Sequence, residues 1–168
     1  MRSPINPVAL GVGLAVVVVG VAGVLFLNRG SHIELKGTIL KVRTLAVEEA
    51  SSIAVLDFRF ANPSNYPFVV KQVDIAIETK DGKRLEGERV SEVDARRLFE
   101  YYPLLGQKFN DTLLMRDKIP GRQSMDRMIA ARFEAPESVI QNRKRMVIRI
   151  EDVDGPVAEL EENGPGSR

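Results

Sequence analysis

Between Val8 and Leu27 the chain runs for twenty residues, VALGVGLAVVVVGVAGVLFL, without a charge or a strongly polar side chain. A helix rises about 1.5 Å per residue, so this length matches the roughly 30 Å hydrocarbon core of a bilayer. The run has no polar face to turn toward water, unlike a helix packed on a soluble core. A cleaved secretory signal predicts a basic n-region, an apolar core of about 7–15 residues and a small-residue cleavage site. Here only Arg2 and the amino terminus are basic, the run is longer, and no Ala-x-Ala precedes Asn28. Residues 1–7 are read as a short tail and residues 8–28 as a single transmembrane helix. Ala9 with Gly13, and Gly11 with Ala15, form small-xxx-small pairs. Such pairs let helices approach closely, which makes Ala9 and Gly13 candidate packing positions against other integral-membrane proteins.

Arg29, Lys36, Lys41 and Arg43 follow the run and only Arg2 precedes it, so a bare positive-inside count keeps the following domain in the cytoplasm. Long domains translocate largely regardless of charge, however, and the leading tail is short. The expectation is an N-in, single-pass protein with its C-terminal domain outside the cytoplasm, periplasmic if bacterial. Residues 31–160 have the size of one domain, with residues 161–168 as a flexible, Gly/Pro-rich tail. All 23 acidic residues lie after residue 30, against 22 of the 24 basic ones, a formal charge of −1. That balance leaves no electrostatic footprint for nucleic acid. The densest basic group, Arg143-Lys144-Arg145, fits a solvated turn or a contact with lipid headgroups or a partner, and is a candidate interaction site.

Apolar residues in the domain recur with a period of two, the signature of half-buried strands. Ile33, Leu35, Ile39, Leu45 and Val47 mark a long first strand. Ala54, Leu56, Phe58 and Phe60 alternate with Val55, Asp57 and Arg59 in a second, and Val73, Ile75 and Ile77 share one face of a third. Lys80-Asp81-Gly82-Lys83 supplies the residues of a two-residue type I′ hairpin turn. Met125, Ile129, Ala131 and Phe133, then Met146, Ile148 and Ile150, continue the pattern. Short strands separated by turn signals predict an antiparallel β-sandwich.

One segment departs from that period. Ser91 is a helix cap with Asp94 three residues on, and Ala95, Leu98, Phe99 and Tyr102 form a helical stripe that Pro103 ends. Residues 92–102 are read as one inserted helix, laid across a sheet edge or an open end of the sandwich, with the stripe in the core. Tyr101 and Tyr102 would otherwise line a ligand pocket.

Catalytic chemistry finds few residues to work with. The chain has no cysteine, and its single histidine, His32, sits just past the apolar run. Thiolate chemistry, a His-based triad and a multi-histidine zinc site therefore lack candidates. Glu151-Asp152-Val153-Asp154-Gly155 lacks the alternating ligands and late glutamate of an EF-hand. No catalytic, cofactor or metal site is expected, and no small-molecule substrate is identified.

The Asn62-Pro63-Ser64-Asn65-Tyr66-Pro67 segment is a rigid corner, because Pro63 extends Asn62 and the Ser and Asn side chains bond local backbone. A strand ending in Phe58-x-Phe60, that corner, the step into Val73-x-Ile75-x-Ile77, the Asp-Gly hairpin and Ile119-Pro120-Gly121 ahead of another strand together resemble the late-embryogenesis-abundant type 2 domain, also called the water-stress and hypersensitive-response domain. The resemblance covers about residues 32–155. This chain has Asn-Pro-Ser-Asn where the family has Asn-Pro-Asn, and the helical insertion is extra. The resemblance implies a fibronectin-like or immunoglobulin-like sandwich, often on an N-terminal membrane anchor, with no catalytic residues.

Two function classes follow. One is a non-enzymatic, membrane-anchored structural or accessory subunit that binds and stabilises a larger membrane assembly. The other is a stand-alone envelope stress or desiccation-related protein. Protease added to intact spheroplasts is expected to remove the domain and leave a short anchor fragment. Protection until lysis would place the domain in the cytoplasm.

Overall fold

The computed structural model describes Gly13, residues 17–21 and residues 35–165. Two compact units divide the chain, residues 1–32 and 33–168. In the first, Gly13 and residues 17–21 are helical, and Val17, Val18, Val19 and Val21 are exposed. Among the described residues no helix is long and apolar enough to cross a membrane. Most of the span expected at 8–28, Ala9 included, lies outside the described residues.

In the second unit eight strands are arranged antiparallel: β1 (Lys36–Glu48), β2 (Ser51–Ala61), β3 (Phe68–Glu78), β4 (Arg84–Arg89), β5 (Lys118–Ile119), β6 (Ser124–Phe133), β7 (Arg145–Asp152) and β8 (Val157–Asn163). The order is β1-β2-β6-β4-β3-β7-β8, with β5 added to β3. Strand β4 serves both halves. Residues Arg84 to Gly87 pair with Glu78 to Ile75 of β3, whereas Glu88 and Arg89 pair with Arg132 and Ala131 of β6. At the other side β8 comes alongside β1. The layers β1-β2-β6 and β3-β7-β8 thus enclose one apolar core, and the domain is a mainly β sandwich.

The expected parity fills that core. Ala54, Leu56, Phe58 and Phe60 meet Ile129, Ala131 and Phe133 from one layer and Ile75, Ile77, Met146, Ile148 and Ile150 from the other. Irregular register between Val70 and Gln72 lets both Phe68/Val70 and Val73/Ile75/Ile77 point inward despite their opposite parity. The hairpin after β3 differs in detail from the expected type I′ turn. Thr79 N–H donates to the Lys83 carbonyl at 2.9 Å, and only Gly82, at φ 85°, takes the left-handed conformation. This is a three-residue loop closed by a glycine bulge, which Asp81 enters without a positive φ. The last strand also runs further than expected. Glu161, Glu162 and Asn163 pair with Val147, Met146 and Arg145, so the flexible tail does not begin at 161.

The helix α1 (Glu92–Tyr101) starts where the cap predicts, with Asp94 N–H donating to Ser91 Oγ at 3.1 Å. Its position differs from the expectation. Instead of crossing an edge or an open end, α1 and a 3₁₀ turn (Pro103–Leu105) cover the outer face of the β1-β2-β6 layer. There Ala95, Leu105, Leu98 and Phe99 pack on Leu45, Ile53, Val55, Met128 and Ala130. Strand β2 is consequently buried on both faces, and only Arg59 within it is exposed. A second short helix, α2 (Glu137–Gln141), begins after Pro136.

Gly87 lies where β4 passes from one layer to the other. A Cβ there would meet Phe133 Cζ at 2.7 Å and Ala131 Cβ at 2.9 Å, closer than packed carbons tolerate. Gly87→Ala is expected to cost about 1–3 kcal/mol by overpacking this crossing. The measurement is urea unfolding followed by circular dichroism, and an unchanged midpoint would refute the tight crossing.

Candidate functional site

The outer face of β1-β2-β6 carries two charges that the sequence pattern does not single out. Arg43 of β1 stands opposite Val55 of β2, which places it diagonally across from Asp57 on the same face. The guanidinium donates to Asp57 Oδ2 at 2.6 Å, and the two side chains are only 8 % and 5 % exposed. Asn110 Nδ2 donates to Asp57 Oδ1 at 2.9 Å, so both carboxylate oxygens are occupied. The other end of the guanidinium reaches the carbonyls of Leu105 and Gln107 at 2.7 and 2.8 Å. The rings of Phe99 and Phe109 lie 4.9 and 5.6 Å from its carbon. A desolvated cation on aromatic faces adds about 0.5–2 kcal/mol per contact.

This arrangement fixes a loop rather than preparing a reaction. Arg43 satisfies carbonyls that the end of a 3₁₀ turn leaves without intrahelical donors. It thereby staples residues 99–110 to the sheet. Outside the staple stands an apolar crest: Leu104 is 92 % exposed, Tyr101 75 % and Phe109 63 %. Tyr102 is also exposed, so the helical stripe reaches the core through Ala95, Leu98 and Phe99 but not through its last member. Lys41 Nζ lies 5.5 Å from the Phe109 ring, with Leu40 exposed beside it in sequence. The sequence signal for this site was Asp57, a carboxylate within the apolar run Ile53 to Phe60, at a parity that period-two reading assigns to water.

The basic triplet is placed differently. Arg143 is buried, donating to Glu162 Oε2 at 2.7 and 3.0 Å and to the Ile140 carbonyl at 3.0 Å. This departs from a wholly solvated turn, and the reason is β8, whose extension brings Glu162 across. Lys144 and Arg145 both donate to Glu78 at 2.6 Å, and Arg145 also to Glu161 at 3.0 Å. Hydrogen bonds donated by Lys144 and then Arg145 hold the Glu78 carboxyl below its ordinary range, and the bond that Arg145 donates to Glu78 holds its guanidinium above its own. The three cations clasp β3, β7 and β8 together. A Cβ added at Gly13 would meet nothing within 4 Å.

Among the described residues no group of three or more His, Cys, Asp or Glu side chains is placed to hold a metal ion. A shallow groove of about 670 Å³ beside β4 is lined by Lys83, Arg132, Glu86, Glu88 and Glu134, charges of both signs open to water.

No protein-family model matches the chain, and no curated protein does. Among solved structures it is similar to an uncharacterized β-sandwich protein from Clostridium difficile, with 9 % identity, 77 % of this chain and 86 % of that chain covered, and a TM-score of 0.40. It is also similar to the archaellum periplasmic stator protein FlaG from Sulfolobus acidocaldarius, with 11 % identity, 76 % and 99 % covered, and a TM-score of 0.36.

The motifs behind the family resemblance meet in space. Asn62 is buried. Its Oδ1 accepts from Ser64 N–H at 3.0 Å, while its Nδ2 donates to the carbonyls of Tyr66 and Ile119 at 2.7 and 3.0 Å. Gly121 packs so closely that a Cβ would meet Asn65 and Ser64 backbone atoms at 2.6–2.8 Å. The Asn-Pro corner and the Ile-Pro-Gly turn are therefore two halves of one clasp.

Arg43→Ala is expected to destabilise the domain by about 3–5 kcal/mol, because Asp57 would be left buried without its cation. The double replacement Arg43→Met, Asp57→Leu should cost much less. Thermal unfolding of the three proteins measures this, and equal losses in both variants would remove the ion pair from its assigned role.

Proposed function

We propose that this protein is a non-enzymatic, membrane-anchored β-sandwich module that acts as an accessory subunit of a larger membrane assembly. The observation that carries this reading is the crest. Leu104, Tyr101 and Phe109 stand in water on a segment that Arg43 holds rigid, so the chain keeps apolar surface ordered and outward. Large apolar side chains exposed together on one short segment mark protein contact sites, and aromatic residues on pre-ordered backbone supply most of the energy at such sites. A desolvated Asp57 with both oxygens bonded gives no free general base beside it.

The apolar run at 8–28 is the anchor in this reading, with Gly13 as a packing position. The domain lies outside the cytoplasm as a fibronectin-like or immunoglobulin-like sandwich. The clasp built from Asn62 and Gly121 supports the likeness to the late-embryogenesis-abundant type 2 domain, because the residues that carry the resemblance act together.

Mild detergent extraction followed by native electrophoresis and mass spectrometry should find the chain at a fixed ratio in a larger complex. Leu104→Glu should weaken that association by about 30-fold or more, the scale of a central apolar contact, without moving the unfolding midpoint. Gly13→Leu should weaken it through the span, since no contact of the described chain opposes the larger side chain. Recovery as a free monomer in both mild detergent and native lipid discs would instead favour the stand-alone envelope stress protein.

A further inference from the structure

We infer that the end of the sandwich at which β1 begins is a contact surface for an anionic lipid bilayer, separate from the protein-binding crest. The inference rests on reading residues 8–28 as an anchor. Lys36, the first residue of β1, comes nine residues after Leu27. An extended chain covers at most about 3.5 Å per residue, so this end stays within roughly 30 Å of the point where the run leaves the bilayer.

Several loops that are distant in sequence gather there. Lys36 pairs with Ala61, and Asn62 N–H donates to the Gln123 carbonyl at 2.9 Å. Arg122 N–H donates to the Asn62 carbonyl at 2.8 Å. Phe68 and Val69 pair with Ile119 and Lys118. Val153 N–H donates to the Val69 carbonyl at 3.0 Å, and Arg116 N–H to the Val70 carbonyl at 2.7 Å. These bonds bring together four exposed apolar side chains, Tyr66, Leu114, Met115 and Val153.

Cations stand among them. Lys36, Arg116, Lys118 and Arg122 are exposed, and none of the four pairs with a carboxylate among the described residues. Among the described residues the Arg122 guanidinium donates only to the neutral Asn65 Oδ1. The carboxylates at this end are mostly occupied. Glu151 holds Lys71 at 2.6 Å, Asp152 is buried on the Val69 and Asp154 amides, and Asp117 accepts from Leu114 N–H and lies 3.9 Å from Arg127. Among the described residues Asp154 is left against these four cations. Arg116 and Arg122 occupy turn positions at φ 68° and 58°, where glycine is the less costly residue.

Apolar tips ringed by about four unpaired cations match an interface with acyl chains and anionic headgroups. The opposite end of the sandwich provides the contrast. Its turns carry Glu48, Glu49, Asp81, Glu134 and Glu137 against the exposed Lys80 and Lys83, so acid outnumbers base, and among the described residues no large apolar side chain is exposed there.

The chain has no cysteine, so single cysteines can be introduced in the full-length protein, at Val153 for this end and at Lys80 for the other. Each variant carries an environment-sensitive fluorophore in lipid discs of phosphatidylcholine alone or mixed with phosphatidylglycerol. Co-migration with the discs is scored first. The Val153→Cys label should shift to the blue and be quenched by spin-labelled lipid in the anionic discs, and the Lys80→Cys label should not. Replacing Arg116, Lys118 and Arg122 by Gln should weaken the contact by about fivefold per charge, and added salt should reverse it. A chain that does not co-migrate refutes the anchor reading and this inference with it. A chain that co-migrates while both labels stay in water refutes the inference alone. Equal burial of the Val153→Cys label in neutral discs, or burial that grows with protein concentration, assigns the face to a second copy and overturns the lipid contact.

Discussion

Arg43 and Asp57 meet on the outer face of β2, away from the sandwich core, and the helical insert depends on their pairing. Moving two charges out of water costs several kcal/mol each, and attraction offsets that cost only when the geometry is good and the remaining polar atoms are bonded. Here nearly all are. Asp57 has Asn110 on its second oxygen, and Arg43 has two carbonyls and two aromatic rings, with its Nε alone lacking a hydrogen-bond partner. The network can exist only if Phe99 and Leu105 are in place to exclude water. Conversely, those residues are held in register because the carbonyls of Leu105 and Gln107 are ligands of one guanidinium. Fold and insert are therefore mutually conditional, and the order of the exposed crest is a by-product of that condition.

Much of the inner core was legible in the sequence because one physical signal, alternation, decides it. Leu56, Phe58, Phe60, Ile129, Ala131 and Phe133 could only lie together on one side of their strands. The outer face was less legible for the same reason. Ile53 and Val55 interrupt the alternation, and Asp57 restores it, so the strand reads as half-buried. What removes Asp57 from water comes from residues 99–110, far downstream, and no local pattern announces that they return to this strand. The start of α1 was legible from Ser91 and Asp94, but a cap says where a helix begins and nothing about the surface it covers. At Arg143 the missing information was again non-local, since Glu162 lies in a segment whose glycines and prolines suggested a tail.

The two ends and the outer face of the domain divide its chemistry. Charge is neutralised internally at the Arg143–Arg145 end, where Glu78, Glu161 and Glu162 hold the cations. At the opposite end, among the described residues, every carboxylate but that of Asp154 is occupied by backbone amides or by lysine and arginine, and four cations remain. The outer face exposes apolar groups on a stapled loop. A near-neutral chain can thus present three chemically distinct surfaces, because net charge says nothing about how the charges are distributed.

The pairing of β2 with β6 has a consequence for how the chain is made. Leu56 is opposite Ile129, 73 residues later, and β1 is the only neighbour of β2 available before then. At a synthesis rate of about 5–20 residues per second, a strand destined for burial on both faces waits roughly 4–15 seconds for its second partner. During that interval the β1–β2 hairpin presents two unpaired edges and both apolar faces of β2 to its surroundings. With residues 8–28 as the proposed anchor, the growing chain would spend that wait held apart from copies diffusing in solution, which limits edge-to-edge association while the domain is incomplete.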